Sequence, residues 1–257
     1  MQIFNHKRGL YFNSNEAKIY YEFLGNKEKP VLVMLHGGFE NIEKLNIIAS
    51  YLNKDFFLIG IDSRGHGRSS LGSDKLTHKQ MQSDVENLLK SLNLINVNIL
   101  GFSDGGTIGY KIASSNKINV NKLITIGASW RNEDVDESEE ILRSITSESA
   151  KEIFVDKFKT YQKLNPEPNF DKLTKSIVEM WLDKTDTGYP NQDVKNILAD
   201  TLLIRGDNDF LFSLNSLRIL QNNIKNSKLM NIALAEHSVY EEQKEIVKII
   251  IKQFLNI

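Results

Sequence analysis

The chain reads Val97-Asn98-Ile99-Leu100-Gly101-Phe102-Ser103-Asp104-Gly105-Gly106 near its middle. The apolar residues up to Leu100 predict a buried strand, and apolar residues recur at helical spacing from Ile108 onward. A serine on such a strand-to-helix turn adopts an unfavourable backbone conformation, which small neighbours such as Gly101 and Gly105 permit. The turn projects the Ser103 hydroxyl out of the sheet and aims a helix N-terminus at developing negative charge. This pattern predicts Ser103 as a nucleophile, the alternative being a structural glycine turn.

Short apolar runs alternate with helical patterns along much of the remaining chain. The predicted strands are Ala17–Leu24, Val31–Leu35, Phe56–Ile61, Val97–Leu100, Leu123–Ile126, Thr201–Ile204 and Lys228–Leu234. Most are apolar throughout, which is typical of strands covered by helices on both faces of a parallel sheet. Helices are predicted over Thr77–Leu92, with Thr77 as the N-cap, and over Ser238–Ile257. The fold class is therefore α/β.

This alternation stops between Trp130 and about Asp200. The stretch contains three prolines and no convincing strand pattern, and its periodicity is helical. We interpret residues 130–199 as a helical insertion, a cap or lid, in a core formed by residues 1–129 and 200–257.

Bulk composition excludes several classes of protein. A formal net charge of −1 gives no electrostatic reason to expect nucleic acid or an anionic membrane as partner. The absence of cysteine excludes disulfides, thiolate metal sites and a cysteine nucleophile. No apolar run has the length of a signal peptide or a membrane span. We expect a cytoplasmic protein, and the sequence leaves its oligomeric state open.

A second glycine-rich turn, His36-Gly37-Gly38-Phe39, follows the strand Val31–Leu35. Acyl transfer needs two backbone N–H groups aimed at the oxyanion. One is expected from Asp104, directly after the nucleophile, and the other from Gly38 or Phe39. The alternative is that this segment is simply a tight loop after a strand.

A serine hydroxyl needs a base, and five histidines are available. His237 is favoured because it follows the last predicted strand and completes the chain order Ser, Asp, His. The supporting acid is expected in the turn Gly206-Asp207-Asn208-Asp209. We assign that role to Asp209 and a turn-shaping role to Asp207.

Together these segments resemble the α/β-hydrolase superfamily. The segments are His36-Gly37-Gly38, Asp62-Ser63-Arg64-Gly65-His66-Gly67-Arg68-Ser69, Gly101-Phe102-Ser103-Asp104-Gly105-Gly106, Gly206-Asp207-Asn208-Asp209 and Glu236-His237. The resemblance implies an eight-stranded, mostly parallel sheet with a helical cap inserted after the sixth strand. It also implies that the segment beginning at Asp62 is a structural turn without a catalytic role. Family members often have glycine before the catalytic histidine, whereas this chain has Glu236.

The residue after the nucleophile refines the resemblance. Ser103-Asp104-Gly105-Gly106 is similar to the biphenyl-hydrolase-like branch, in which this aspartate is associated with binding a substrate amino group. The alternative is that Asp104 acts through its backbone N–H alone. Trp130 is a second candidate substrate contact, whereas Trp181 is expected to pack the cap onto the core.

The predicted function is hydrolysis of a small carboxylic ester, including the possibility of an amino-acid ester, through an acyl-enzyme. The reaction needs no metal and no organic cofactor. Carbon–carbon bond hydrolysis or cofactor-free perhydrolysis would use the same three residues. A ligand-binding protein on the same scaffold, without turnover, is the alternative from another class.

Overall fold

A computed structural model describes the backbone of residues 2–257 and the side chains of these residues except 136 and 137. Its sheet has eight strands. They are β1 Leu10–Ser14, β2 Ala17–Leu24, β3 Val31–Leu35, β4 Phe57–Ile61, β5 Asn96–Phe102, β6 Asn119–Ile126, β7 Asp200–Gly206 and β8 Ser227–Ile232.

The strands lie in the order β1-β2-β4-β3-β5-β6-β7-β8. β2 is antiparallel to both of its neighbours, and all other neighbouring pairs are parallel. The eight-stranded, mostly parallel α/β-hydrolase sheet is thus confirmed. β1 was not among the strands read from the sequence. Leu10 and Tyr11 are about half exposed, so this short edge strand depends mainly on backbone pairing with β2.

Ten α-helices are present among the described residues. They are α1 Asn46–Leu52, α2 His78–Ser91, α3 Asp104–Ser115, α4 Asn132–Ser144, α5 Ser147–Ile153, α6 Val155–Leu164, α7 Phe170–Trp181, α8 Leu214–Asn223, α9 Val239–Glu242 and α10 Lys244–Leu255. Thr77 caps α2 as predicted, because its side chain accepts a hydrogen bond from the Gln80 N–H. The single closing helix predicted over Ser238–Ile257 is wrong. Gln243, with φ −121° and ψ 46°, separates α9 from α10.

Helices cover both faces of the sheet, and each face has its own apolar core. Successive residues of a strand point to opposite faces, so Ile99 packs with one cluster and Leu100 with the other. α2 and α3 contribute to the first cluster, and α1 and α10 to the second. This two-sided burial explains why the central strands are apolar throughout.

Helices α4 to α7 lie between β6 and β7, and we call them the helical insertion. Phe170, Leu173, Ile177 and Met180 on α7 are buried in the larger cluster of the core. The division into a core of residues 1–129 and 200–257 and a cap of residues 130–199 stays a prediction. No helix among the described residues is both long and apolar enough to cross a bilayer.

A buried charge network fixes the N-terminal segment to the sheet. His6 has a positive φ of 56° and is almost fully buried. Its Nε2 lies 2.8 Å from Asp62 Oδ2, and its Nδ1 lies 2.7 Å from Glu43 Oε1. Burial by itself lowers the pKa of His6, but the hydrogen bonds and charges of Asp62 and Glu43 outweigh it and raise the pKa above the ordinary value of 6.5.

This raised pKa predicts a pH-dependent contribution to stability. A histidine whose pKa is higher in the folded state stabilises the fold fully below its unfolded pKa of about 6.5, and that contribution declines as the pH rises through the folded pKa. We therefore expect His6→Gln to lower the free energy of unfolding more at about pH 5.5 than at about pH 9. Urea unfolding of parent and variant at both pH values measures the difference. An equal loss at the two values would contradict a charged His6.

Candidate active site

Ser103 lies on a strained turn between β5 and α3. Its φ of 51° and ψ of −121° lie outside the regions that residues with side chains favour, a conformation that costs about 1–3 kcal/mol. The surrounding backbone holds it there, since the Ser103 N–H donates to the Ile126 carbonyl at 2.8 Å. A Cβ on Gly105 would lie 2.2 Å from the Leu35 carbonyl oxygen, so this turn excludes larger residues. Ser103 thus occupies the sharp turn between strand and helix that the sequence predicts for a nucleophile, and it is partly buried there.

Three side chains from distant parts of the chain form one hydrogen-bonded series. His237 Nε2 lies 3.1 Å from Ser103 Oγ, and His237 Nδ1 lies 2.9 Å from Asp209 Oδ2. The side chain of Asp209 is fully buried, whereas that of His237 is 19% exposed. The structure therefore brings together Ser103, His237 and Asp209. Their catalytic roles stay predictions.

The three residues meet because each one follows the carboxyl end of a parallel strand. Ser103 follows β5, Asp209 follows β7, and His237 follows β8. Arg205 fixes the turn after β7, because its Nη2 donates to the Asp209 carbonyl at 2.8 Å. Asp207 faces away from the histidine and accepts a hydrogen bond from Asn231 at 2.8 Å. The geometry favours Asp209 over Asp207, as the sequence analysis did.

Three backbone amides in the turn at Ser103 and in the loop of residues 37–39 have no hydrogen-bond acceptor within the described residues 2–257. Among the described residues, the amides of Gly38, Phe39 and Asp104 donate no hydrogen bond within the protein. The loop of residues 37–39 contacts the nucleophile turn directly, since a Cβ on Gly37 would lie 3.1 Å from the Ser103 Cβ. These are the donors that the sequence predicts for an oxyanion. The choice between Gly38 and Phe39 stays open.

The Asp104 side chain lies in the wall of the same site. Its Oδ1 accepts a hydrogen bond from Trp181 Nε1 at 2.8 Å, and its buried Oδ2 has no hydrogen-bond partner among the described residues. His78 Nε2 lies 3.9 Å from Oδ1. Burial raises the pKa of Asp104, but the neighbouring His78 and the hydrogen bond from Trp181 outweigh it and hold the pKa below the ordinary value of 3.8. The carboxylate is therefore ionised at neutral pH. It does not face solvent.

A cavity of about 270 Å³ opens over Ser103 and His237. Its walls are mainly apolar and include side chains of the helical insertion and of the turn after Asp209. These apolar residues are Val135, Ile141, Leu142, Ile145, Ile153, Phe154, Phe210 and Leu211. This volume is slightly below the roughly 300–1,000 Å³ usual for ligand sites. The cavity therefore fits a small apolar group beside Ser103.

The structure contradicts the proposed role of Trp130 in substrate binding. Trp130 is fully buried, does not line the cavity, and donates from Nε1 to Ser216 Oγ on α8 at 2.9 Å. Trp181 was expected to pack the cap onto the core, and it does pack against Phe39. It also lines the cavity and contacts Asp104.

Sequence reasoning also missed two neighbours of the His237 ring. Phe102 packs against it with ring centroids 5.1 Å apart. Gly127 follows β6, and a Cβ there would approach His237 and Asp209 within 3.1 Å and 3.2 Å. The sequence signal for Gly127 was a glycine directly after β6, the strand that pairs with β5.

Asp62 and Arg64 lie outside this cavity. They make buried contacts with His6 and Asp84 respectively.

Comparison with known proteins agrees with this architecture. A family model described as the alpha/beta hydrolase fold matches residues 30–145, which contain the segments at His36, Asp62 and Ser103. A Bacillus subtilis AB hydrolase superfamily protein is 26% identical over 96% of this chain and 99% of its own length. The chain has the α/β-hydrolase fold, and these matches support its being a hydrolase.

Two further proteins are similar to this hydrolase. A Haemophilus influenzae protein provisionally named an esterase/lipase is 28% identical over 88% of this chain and 83% of its own length. The crystal structure of an esterase from Exiguobacterium antarcticum superposes with a TM-score of 0.77 at 23% identity, covering 97% of this chain and 100% of that one. The latter likeness shows the fold alone. The finer resemblance of this hydrolase to the biphenyl-hydrolase-like branch stays a prediction.

Proposed function

We propose that this hydrolase cleaves small carboxylic esters through an acyl-enzyme formed on Ser103. The observation that carries the proposal is the hydrogen-bonded series from Ser103 through His237 to buried Asp209 at a small apolar cavity. The esterase/lipase name of the Haemophilus influenzae relative agrees with it.

In the first half-reaction, Ser103 Oγ attacks the ester carbonyl carbon while His237 Nε2 takes the hydroxyl proton. The carbonyl oxygen becomes an oxyanion, which the amides of Asp104 and of Gly38 or Phe39 stabilise. Asp209 stabilises the protonated His237. The intermediate then breaks its bond to the alcohol oxygen, and His237 returns the proton to that oxygen. Alcohol leaves, and the acyl group stays on Ser103.

In the second half-reaction, water takes the place of the alcohol. His237 removes a proton from the water as its oxygen attacks the acyl carbon, giving a second oxyanion in the same position. The intermediate expels Ser103 Oγ, which recovers its proton from His237. The products are a carboxylic acid and the free enzyme, so the cycle consumes one water molecule and no other reactant.

The cavity supports a short or branched apolar acyl group as the substrate portion next to Ser103. Its small volume disfavours long acyl groups, and its apolar walls suit an aliphatic chain. A series of p-nitrophenyl esters with acyl chains of increasing length tests this selectivity. We expect kcat/KM to pass through a maximum at a short chain. Turnover of a dienoic diketone with none of the esters would instead indicate a carbon–carbon bond hydrolase.

A finer proposal concerns the Asp104 carboxylate, which would attract a substrate ammonium group. A matched pair of p-nitrophenyl esters, of L-valine and of 3-methylbutanoic acid, differs by the α-amino group alone. We expect Asp104→Asn to lower the ratio of kcat/KM for the valine ester to that for its partner by about tenfold, because a hydrogen bond to a charged group contributes about 1.5–3 kcal/mol. Asparagine keeps both the backbone N–H and an acceptor for Trp181.

The control for this prediction is Asp74→Asn, which neutralises an exposed carboxylate outside the cavity. The ratio of kcat/KM for the valine ester to kcat/KM for the 3-methylbutanoate ester should be the same in Asp74→Asn as in the parent. If Asp104→Asn slows both esters equally, the carboxylate does not recognise the amino group.

A further inference from the structure

The loop that carries Gly38 and Phe39 is a tight turn with an unusual occupant. The Glu40 N–H donates to the Gly37 carbonyl at 3.3 Å, which closes a four-residue turn. Phe39, its third residue, has a φ of 58°. Positive φ at this position characterises a type II turn and is normally taken by glycine or asparagine. A phenylalanine is strained there and needs support from its surroundings.

The turn type decides which group the Gly38–Phe39 peptide presents. Type I and type II turns differ by a rotation of the central peptide through roughly 150–170°. Such a flip carries the Phe39 N–H to the opposite side and puts the Gly38 carbonyl oxygen in its place. After the flip, an oxyanion would face the Gly38 carbonyl oxygen, which repels it, in place of the Phe39 N–H, which donates to it. The strain at Phe39 favours that flip unless other contacts oppose it.

The contacts that oppose it come from the helical insertion. The Phe39 ring is buried against three aromatic rings, those of Phe154, Phe170 and Trp181, with centroid distances of 5.2, 5.5 and 5.8 Å. Phe154 separates α5 from α6, and the other two residues lie at the two ends of α7. Aromatic pairs at such distances are stabilising in addition to the apolar area that they bury.

An ion pair makes a second connection next to this one. Glu40 has a nearly fully buried side chain, whose Oε2 accepts from the Gly37 N–H at 3.4 Å. Its Oε1 lies 2.9 Å from Lys157 Nζ on α6. The same ammonium lies 5.1 Å from the centre of the Phe154 ring. A buried carboxylate needs a partner, so Lys157 holds both Glu40 and the aromatic contact in position.

We propose that the helical insertion sets the orientation of the Gly38–Phe39 peptide, with Lys157 as the positioning residue that keeps the Phe39 N–H available to the oxyanion. The inference rests on the proposed function. It adds that the insertion acts on the chemical step as well as on the shape of the cavity.

Lys157→Met is the test of choice, because Lys157 does not line the cavity whereas Phe154 and Trp181 do. We expect kcat on p-nitrophenyl acetate to fall about tenfold or more, with KM within about twofold of the parent value. Complete loss of one oxyanion donor, which costs about 10²–10³-fold in kcat, is the upper limit. The inhibition constant of a phenylboronic acid, whose Ser103 adduct places an oxygen at the oxyanion position, should rise by a similar factor.

Two variants provide the controls. Lys157→Arg keeps the ion pair and should restore kcat. Lys159→Met removes the same charge from an exposed position on the same helix and should behave as the parent. If Lys157→Met folds poorly, the double variant Glu40→Gln/Lys157→Met leaves no buried charge unpaired and carries the same expectation. Parental kcat in that double variant, or an equal loss in Lys159→Met, would overturn the proposal.

The orientation of the Gly38–Phe39 peptide can be tested separately from ester hydrolysis. If the parent shows neither turnover nor a fluorophosphonate adduct on Ser103, ester hydrolysis is refuted. Crystal structures of the parent and Lys157→Met then still test the inference through the direction of the Gly38 carbonyl. A reversed or mixed orientation in the variant supports it, and the same single orientation in both proteins refutes it.

Discussion

Ser103→Ala is expected to lower kcat on an activated ester by roughly 10⁵–10⁶-fold, the scale of loss when a triad serine is removed. The variant lacks the oxygen that would form the acyl-enzyme, and alanine leaves His237 Nε2 without its partner at 3.1 Å. Release of p-nitrophenol measures the loss. Intact-mass measurement after treatment with a fluorophosphonate should show one adduct on the parent and none on the variant.

Ser114→Ala is the matched control. It removes the same hydroxyl from the helix that begins after Ser103, at a position whose Oγ donates to the Lys111 carbonyl. Its kcat and its labelling should match those of the parent. A fluorophosphonate adduct that persists in Ser103→Ala would assign the nucleophile to another residue and remove the proposed mechanism.

The turn at Ser103, between β5 and α3, was predictable because its constraints are local. A buried strand, a strained residue and a helix start follow one another between Val97 and Ser115, and each leaves its own sequence signal. Asp209 and His237 were predictable for a related reason. Parallel strands bring their carboxyl ends to one edge of the sheet, so residues just after β5, β7 and β8 come together there.

The roles of the two tryptophans were not predictable, because they depend on how the helical insertion packs. Trp130 lies just before the N-cap of α4, Arg131, and its indole donates to Ser216 on α8. Trp181 ends α7, whose buried face was readable, but a sequence pattern does not reveal what that face contacts. The Asp104–Trp181 hydrogen bond spans 77 positions and leaves no trace in local periodicity.

The same limit applies to Phe39. Its sequence context, directly after Gly37 and Gly38, gave a tight loop. Neither the positive φ nor the three rings that pack on Phe39 could be read from that context, because the rings belong to residues more than a hundred positions away. Long-range packing thus determines the backbone conformation at the position where a local rule favours glycine.

Asp209→Asn is expected to lower kcat about 10⁴-fold with little change in KM, the loss known for the corresponding change in serine proteases. Asp209 Oδ1 accepts from the Leu211 N–H at 3.0 Å, and Oδ2 faces His237 Nδ1. Asparagine retains the first contact with its carbonyl oxygen, so its NH₂ group takes the place of Oδ2. An NH₂ group there forces Nδ1 to accept and puts the ring proton on Nε2, facing Ser103.

In that tautomer Nε2 has no lone pair facing Ser103, so His237 cannot take the serine proton. Asp207→Asn, two positions earlier in the same turn, is the control, because its carboxylate contacts Asn231 and not the histidine. It should change kcat by less than about twofold, since an exposed contact between Asp207 and Asn231 contributes little to orientation of the imidazole. If Asp207→Asn and Asp209→Asn lowered kcat equally, the turn after β7 would be sensitive to any loss of charge, and the effect would not be specific to Asp209. Near-parental kcat in Asp209→Asn would show that the imidazole keeps its working tautomer without the carboxylate, which the buried position of Asp209 argues against.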